Sequence, residues 1–558
     1  MKIVKKGLVA YKRLGIKGGI ATLKKRGQIK DKDYMKWYEN NKPTPQILTQ
    51  QREKIFNYNP MISIVVPVYN TPLSFLTDMI DSVKNQSYTN WELCIANADP
   101  ANQDVHDVLE QYMEKDKRIK SVDVPENLGI AENTNQAIQI SSGEYIGLLD
   151  HDDRISLDAL YEVVKCLNEK NKPEVIYSDE DKITIDGEKH YQPNFKPEFN
   201  LDMLRSNNYI CHFLIIKRSL LINVGGLDGE YNGAQDHDLI FRCIEKTNQI
   251  VRIPKILYHW RMHQRSTADN PESKKYAYQA GIKAIEAHLR RCGENGIAEM
   301  TEKPGFYRIK YPFDIQPAIS VVIANCSHKK ISCKVLRKLV GTYDSEKVEI
   351  CIVDKDKKET RYNRLKKRGI NIRIIPEKNE NRLYRLDKGI KNAREEYVLC
   401  LSPYIRRIGE NYLAEYVANI IRHRVGIVTG KLYYPNSTIK NAGMIIREDG
   451  KLNYLFEGLP KGCNGYMNRQ SMQQNVSIVS LEDTMIRKSL WPTVGMGKHD
   501  SQMISVLEEW CSKVREKGNL IVYTPYADAY SNERNLRGYV KTIKEFNNNP
   551  NLRDNLSL

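Results

Sequence analysis

Short unbroken apolar runs alternate along the chain with longer segments whose apolar residues recur every three or four positions. "ISIVVPVY" (62–69) is a β-branched run without a polar face, which predicts a parallel strand covered on both sides. "PLSFLTDMIDSVKNQS" follows with helical spacing, and "WELCIANAD" (91–99) predicts a second strand. "DVHDVLEQYMEKD" predicts a helix, "IKSVDV" (119–124) a third strand, "GIAENTNQAIQIS" another helix and "GEYIGLLD" (143–150) a fourth strand. Strands and helices in this rhythm predict an α/β domain on a largely parallel sheet. Such sheets bind ligands beyond the carboxyl ends of their strands. "PVYN" (67–70), Asp99 and Asp150 all stand at those ends.

The rhythm returns. "AISVVIANCS" (318–327) parallels "MISIVVPVYN" (61–70), and "EICIVDKD" (349–356) parallels "ELCIANAD". "ENRLYRLDKGIKNAREEYVLCLSPY" (380–404) parallels "ENLGIAENTNQAIQISSGEYIGLLDHD" (126–152) after a small deletion. An internal repeat of one domain length predicts two similar α/β domains joined near 300–317. The copies differ where the fourth strand ends: Asp150, His151 and Asp152 in the first become Ser402, Pro403 and Tyr404 in the second.

Composition adds limits. At 558 residues, with 41% hydrophobic and 28% charged, the chain is long enough for several cores. No apolar run approaches the roughly 20 residues of a membrane span, and the N-terminus lacks the apolar core of a signal peptide. These features predict a cytoplasmic protein, or one peripheral on the inner face of the cell membrane. The 11 cysteines are odd in number, scattered and never CxxC, which argues against a disulfide framework or zinc site; Cys211 beside His212 is read as a buried structural pair. The net charge of +17 is uneven: residues 1–30 hold ten Lys and Arg and no acid. Apolar residues at near-helical spacing are interleaved there, so this segment predicts either a contact with an anionic membrane surface or a solvated arm. Charge alone does not make a nucleic-acid binder, and no recognised nucleic-acid motif accompanies it.

The chemistry concentrates in "GLLDHDDR" (147–154), where carboxylates packed this tightly call for a cation among them. An EF-hand starting at Asp150 needs Gly and Glu where Ile155 and Tyr161 stand, and fails. A dehalogenase-type phosphatase places its Asp-x-Asp after the first strand rather than the fourth. An acidic turn capping the next helix is the bland alternative. Further motifs weigh against it: "GGLDGEYNGAQDHDLIFRCIE" (225–245) sets Asp236 at the start of a helix, and "YHWRMHQRST" (258–267) follows the strand "VRIPKIL".

With the opening around Ile62–Thr71, Asp99, "DHDD", "QDHDL" and "YHWRMHQRS", residues 58–290 resemble a glycosyltransferase family 2 enzyme of the GT-A fold. "YSDEDKI" (177–183) and "PNFKPEFNLDMLRSNNYI" (193–210) resemble the bacterial branch that builds surface polysaccharides, rhamnose-containing ones included; "GKLYYPNSTIKNAG" (430–443) and "IVYTPYADAY" (521–530) extend the likeness to the second half. The resemblance implies two tandem GT-A (Rossmann-like) domains: a basic segment 1–57, a catalytic domain 58–300, a degenerate second domain 315–540 and a tail 541–558. It implies an inverting, metal-dependent transferase moving a hexosyl or rhamnosyl group from a nucleotide-sugar to a saccharide or lipid-linked acceptor. Asp236 is then the catalytic base. Pro67, Tyr69, Asn70, Asp99, Asp150 and Arg261 bind the nucleotide-sugar. Asp152 and His263 ligate Mg²⁺ or Mn²⁺, and Asp179, Glu180 and Asp181 face the acceptor unless they form a solvated acidic turn. Gln235 stands where the family often has Glu, and "ANADP" shortens an Asp-rich loop. Ser266 completes an Arg-x-His-x-x-Ser pattern, and Asp500 is a displaced remnant of the base motif in the second copy. The rival from another class is a non-catalytic carbohydrate- or membrane-binding scaffold.

Overall fold

A computed structural model describes residues 29–263, 275–326, 331–355, 362–446, 452–491 and 503–533. The expectations placed on residues 1–28 of the basic segment, on Ser266, on Asp500 and on the tail 541–558 lie outside these residues.

The first domain is built on one nine-stranded sheet. Its strands in chain order are β1 (Ile62–Val68), β2 (Trp91–Asn97), β3 (Ile119–Asp123), β4 (Tyr145–Leu148), β5 (Arg154–Ile155), β6 (Val175–Ile183), β7 (His190–Asn194), β8 (Leu214–Lys217) and β9 (Ile250–Arg261). They lie in the order β3-β2-β1-β4-β8-β6-β9-β5, with β7 added beside β6. β1 is central and parallel to both neighbours, pairing Ile62 with Trp91 and with Tyr145. Every residue of β1 and β2 is buried, as an uninterrupted apolar run requires when helices cover both faces. One face carries the cluster of Ile62, Ile64, Leu76 and Leu160; the other carries Val65, Ala131, Leu204 and Phe241.

The second domain repeats this plan. Ile319–Ala324 pairs parallel with Val348–Asp354 and Tyr397–Leu401, and its main path runs through eight strands in the order of the first sheet. The repeat reaches single side chains: Ser63 Oγ donates to buried Glu92 at 2.6 Å, and Ser320 Oγ to buried Glu349 at 2.6 Å. All eleven cysteines are free, and among the described residues no helix is long and apolar enough to cross a membrane.

Three segments differ from the sequence reading. Within the basic segment 1–57, for which the sequence predicts no elements, two helices form, Asp31–Asn41 and Pro45–Glu53, the latter started by Pro45 at its first turn and capped by Thr44. "YSDEDKI" is neither an acidic turn nor an acceptor-facing surface: it is the body of β6, where Asp179 and Asp181 are 0% exposed and Glu180 is 8% exposed. Internal cations and donors allow this burial. Arg252 pairs with Asp179 at 2.8 Å, Lys196 with Glu180 at 3.0 Å, and the two histidines His190 and His259 with Asp181. β9 also runs past the predicted "VRIPKIL" through His259, Trp260 and Arg261. The short edge strand β5 pairs Arg154 with His259 and Ile155 with Tyr258, which carries the pairing onward.

Candidate active site

A cavity of about 1250 Å³ opens at the carboxyl end of β1 and β4. Pro67 and the Tyr69–Asn70 turn form one wall, with Asn70 held at φ 50°. Asp150, His151, Asp152, Asp236 and His263 line the same cavity. Residues from four separate stretches of chain therefore converge: Pro67, Tyr69 and Asn70; Asp150 and Asp152; Asp236; and His263.

The loop after β4 is held from beneath by Asp153, which is 0% exposed. Tyr258 Oη donates to its Oδ2 at 2.6 Å and the Arg261 amide to its Oδ1 at 2.7 Å. Burial, with Asp150 and Asp152 beside it, pushes the Asp153 carboxyl well above the usual range. Arg261 does not line the cavity. Its guanidinium is internal, donating to the carbonyl oxygens of Asp152 at 2.8 Å and Ile185 at 2.9 Å and pairing with Asp78. It orders the loop instead of meeting a ligand. Asp99, half-exposed, is not among the residues lining the cavity; its Oδ2 accepts from Asn102, the cap of the helix Gln103–Lys115.

The two cavity-facing carboxylates of the loop are driven apart. Burial raises Asp150. Burial also acts to raise Asp152, but the His263 hydrogen bond at 2.7 Å and the positive charge of His151 and His263 prevail, holding it below the usual range. His151 Nδ1 lies 2.9 Å from Thr71 Oγ1, which ties this loop to the one after β1. His263 rests against Phe75 at 5.4 Å.

Asp236 begins the helix Gln235–Ile244. Asn208 Nδ2 donates to its Oδ2 at 2.7 Å, and Cys211 Sγ lies 3.5 Å from the same oxygen. His237 is 2% exposed; burial lowers its pKa to about 4, so the neutral ring donates through Nε2 to the Leu204 carbonyl at 2.9 Å. Asn208, Cys211 and His212 all line the cavity; the sequence passed over Asn208, and Cys211 and His212, expected to be a buried structural pair, are half-exposed there instead. His212 stacks on Tyr258 at 4.5 Å, and Asp150, Asp153 and His212 bring ligand-type atoms within 4.8 Å of one another. The only advance sign was the adjacency of Cys211 and His212. Tyr276, Tyr278 and Tyr307 add an aromatic side next to Asp236 that no motif announced.

Three carboxylates facing one cavity, with imidazoles beside them, form a donor set suited to a hard divalent cation and a poor place for an uncompensated anion. The site residues fit Mg²⁺ or Mn²⁺ on that ground. Asp181, His190 and His259 also group closely, but in the interior away from the cavity, where Arg154 approaches His190 Nε2 at 3.5 Å and the carboxylate is already saturated by hydrogen bonds.

The equivalent cleft of the second domain is built differently. Strand registers put Ser402 at the position of Asp150 and Glu482 at that of His212, because Tyr145 pairs with Lys217 as Tyr397 pairs with Arg487. Glu533 stands two residues past the closing strand Leu520–Ser531, as His263 stands two past β9. Between them lies Lys440, its side chain 3% exposed and its Nζ 2.9 Å from Glu482 and 2.7 Å from Glu533. The Lys440 side chain is thus buried between the two carboxylates that stand at these positions.

Residues 63–225 match the family described as Glycosyl transferase family 2. The uncharacterized protein y4gI of Sinorhizobium fredii is 33% identical over 87% of this chain and 54% of its own length. The O-antigen biosynthesis protein RfbC of Myxococcus xanthus is 28% identical over 77% of this chain and 34% of its own. The chain thus spans about half, or less, of the length of these relatives. A crystal structure of S. aureus TarS matches 41% of this chain and 65% of its own, at 21% identity and a TM-score of 0.33.

Proposed function

Because the chain belongs to glycosyl transferase family 2 through residues 63–225, we propose that its first domain moves a hexosyl or rhamnosyl group from a nucleotide-sugar to a saccharide or lipid-linked acceptor, with inversion, in bacterial cell-surface polysaccharide synthesis. The observation that carries this reading is the meeting of Asp150, Asp152, His263 and Asp236 around one cavity.

In this reading Tyr69, 48% exposed, and Asn70 bracket the nucleoside while Asp150 accepts from the ribose. Asp152 and His263 would hold Mg²⁺ or Mn²⁺, which would supply electrostatic stabilisation to a diphosphate leaving group. Asp236 takes the proton of the acceptor hydroxyl as that oxygen attacks the anomeric carbon. Asn208 and Cys211 both meet its Oδ2, so Oδ1 is the oxygen that takes this proton. Asp153 and Arg261 hold the loop rigid and touch no substrate. The second domain is non-catalytic, and residues 1–30 bring the chain to an anionic membrane surface. A scaffold without activity has no use for a carboxylate set the second domain has lost.

The test is turnover of a nucleotide-sugar panel with Mn²⁺ or Mg²⁺ and saccharide acceptors. Acceptor-dependent release of nucleoside diphosphate is expected from at least one donor, and Asp152→Ala is expected to lower it about 100-fold while weakening the dependence on added metal. Failure of every donor overturns the reading.

A further inference from the structure

The segment that leads to Asn208 is gripped by the second domain. Asp202, in the short helix Leu201–Ser206, is 1% exposed and receives Arg422 at 2.7 Å, Gln473 Nε2 at 3.0 Å and Asn475 Nδ2 at 2.6 Å. Its amide donates to Asn475 Oδ1 at 3.1 Å, and Asn200 exchanges two further hydrogen bonds with the backbone of Asn475. Ser206 Oγ donates to the Gln473 carbonyl at 3.0 Å. Upstream, the Phe195 amide donates to Tyr466 Oη at 2.9 Å, and Tyr466 donates to the Pro193 carbonyl at 2.7 Å. Each of these second-domain groups is buried or half-buried in the contact.

The other side of the same short helix meets the catalytic helix Gln235–Ile244. Leu204 receives His237, the neighbour of Asp236, and Asn208 holds Asp236 itself. Arg205 Nε donates to His288 Nε2 at 3.2 Å, and His288 stacks on Phe241 of the catalytic helix at 4.3 Å. Arg422 also pairs with Glu294, the carboxylate that receives Arg205. Two charged groups, Arg422 and Asp202, thus sit in a water-excluded joint whose far end is the site.

We propose that the second domain is a positioning element for the first: through Arg422, Gln473 and Asn475 it sets the helix Leu201–Ser206, which fixes Asn208 and the start of the Asp236 helix for acceptor deprotonation. The inference rests on the transferase reading above for what Asp236 does, but the coupling itself is structural. It assigns the degenerate domain a role in turnover without a ligand of its own. Proton transfer and attack depend steeply on atom placement, so a small displacement of Asp236 lowers turnover while leaving the Tyr69–Asp152 side of the cavity intact.

The test compares Arg422→Met, Asn475→Ala and Arg422→Lys in the full chain. Met and Ala are expected to lower kcat for acceptor-dependent transfer about 10–100-fold, with donor KM changed by less than about twofold. Lys restores part of the loss because it keeps the charge facing Asp202. Hydrogen exchange, which needs no turnover, is expected to show faster exchange in 201–212 and 235–240 with β1 and β4 unchanged. Unchanged exchange in 235–240 with the joint broken overturns the proposal, as does equal loss in donor KM and kcat or uniform loosening of the whole chain. If the wild-type chain transfers no sugar, exchange still decides the coupling, and the functional reading fails separately.

Discussion

Asp236→Asn is expected to lower the rate of sugar transfer about 10²–10⁴-fold, the usual worth of a positioned general base. The substitution is nearly isosteric. Asn208 Nδ2 retains an oxygen to donate to, and His237 keeps its hold on Leu204, so the helix start is not disturbed. Donor binding draws on Tyr69, Asn70, Asp150 and Asp152 across the cavity and is expected to remain, measured as an undiminished thermal shift with the nucleotide-sugar. A variant that binds donor and hydrolyses it slowly to water while failing to glycosylate the acceptor fits the role; transfer at the wild-type rate removes Asp236 from the mechanism.

Asp181→Ala is expected to destabilise the chain by about 3–5 kcal/mol, the cost of leaving buried partners without their counter-group. Asp181 is 0% exposed and accepts Tyr34 Oη at 2.6 Å, His190 Nδ1 at 2.8 Å and His259 Nδ1 at 2.7 Å. Tyr34 belongs to the helix Asp31–Asn41, and with Trp37 it packs on Phe195 and Tyr466 where both domains meet. Denaturant unfolding measures the loss. Burial acts to raise the Asp181 carboxyl, but the histidine charges and hydrogen bonds prevail and hold it below the ordinary range. Its contribution is therefore complete above the ordinary carboxylate pKa of about 4 and fades only as pH falls below that. The wild-type advantage over the alanine variant is expected to persist from neutral pH down to about pH 4 and to shrink below it. Acceptor KM is expected to stay unchanged where the variant is folded. A variant with wild-type stability and weakened acceptor binding would return Asp181 to the acceptor site.

The alternation of β-branched runs with helical segments made the sheet legible, because parallel strands buried on both faces cannot hide their composition. The strand-end rule then located Pro67, Asn70, Asp150 and Asp152. It failed where side chains turn away from the cavity. Asp99 and Arg261 stand at the right places in the chain, yet one braces a helix start and the other a loop from within. "YSDEDKI" looked solvated because three acids in a row rarely go inside; the cations that permit it, Arg252 and Lys196, lie far off in sequence. Asn208 and His212 were invisible for a similar reason: their value comes from Asp236 and Asp150, which only the fold brings near.

Lys440 in the second cleft carries a consequence for stoichiometry. A covalently tethered ammonium cannot be chelated, exchanged or diluted away, so the second domain keeps its counter-charge under conditions that strip the first of any divalent ion. Glu482 and Glu533 already pair with that ammonium, which leaves no free charge for a diphosphate, so two domains of one ancestry should count as one in solution: calorimetric titration with a nucleotide-sugar saturates at a single equivalent per chain, and excess chelator brings that single equivalent to zero.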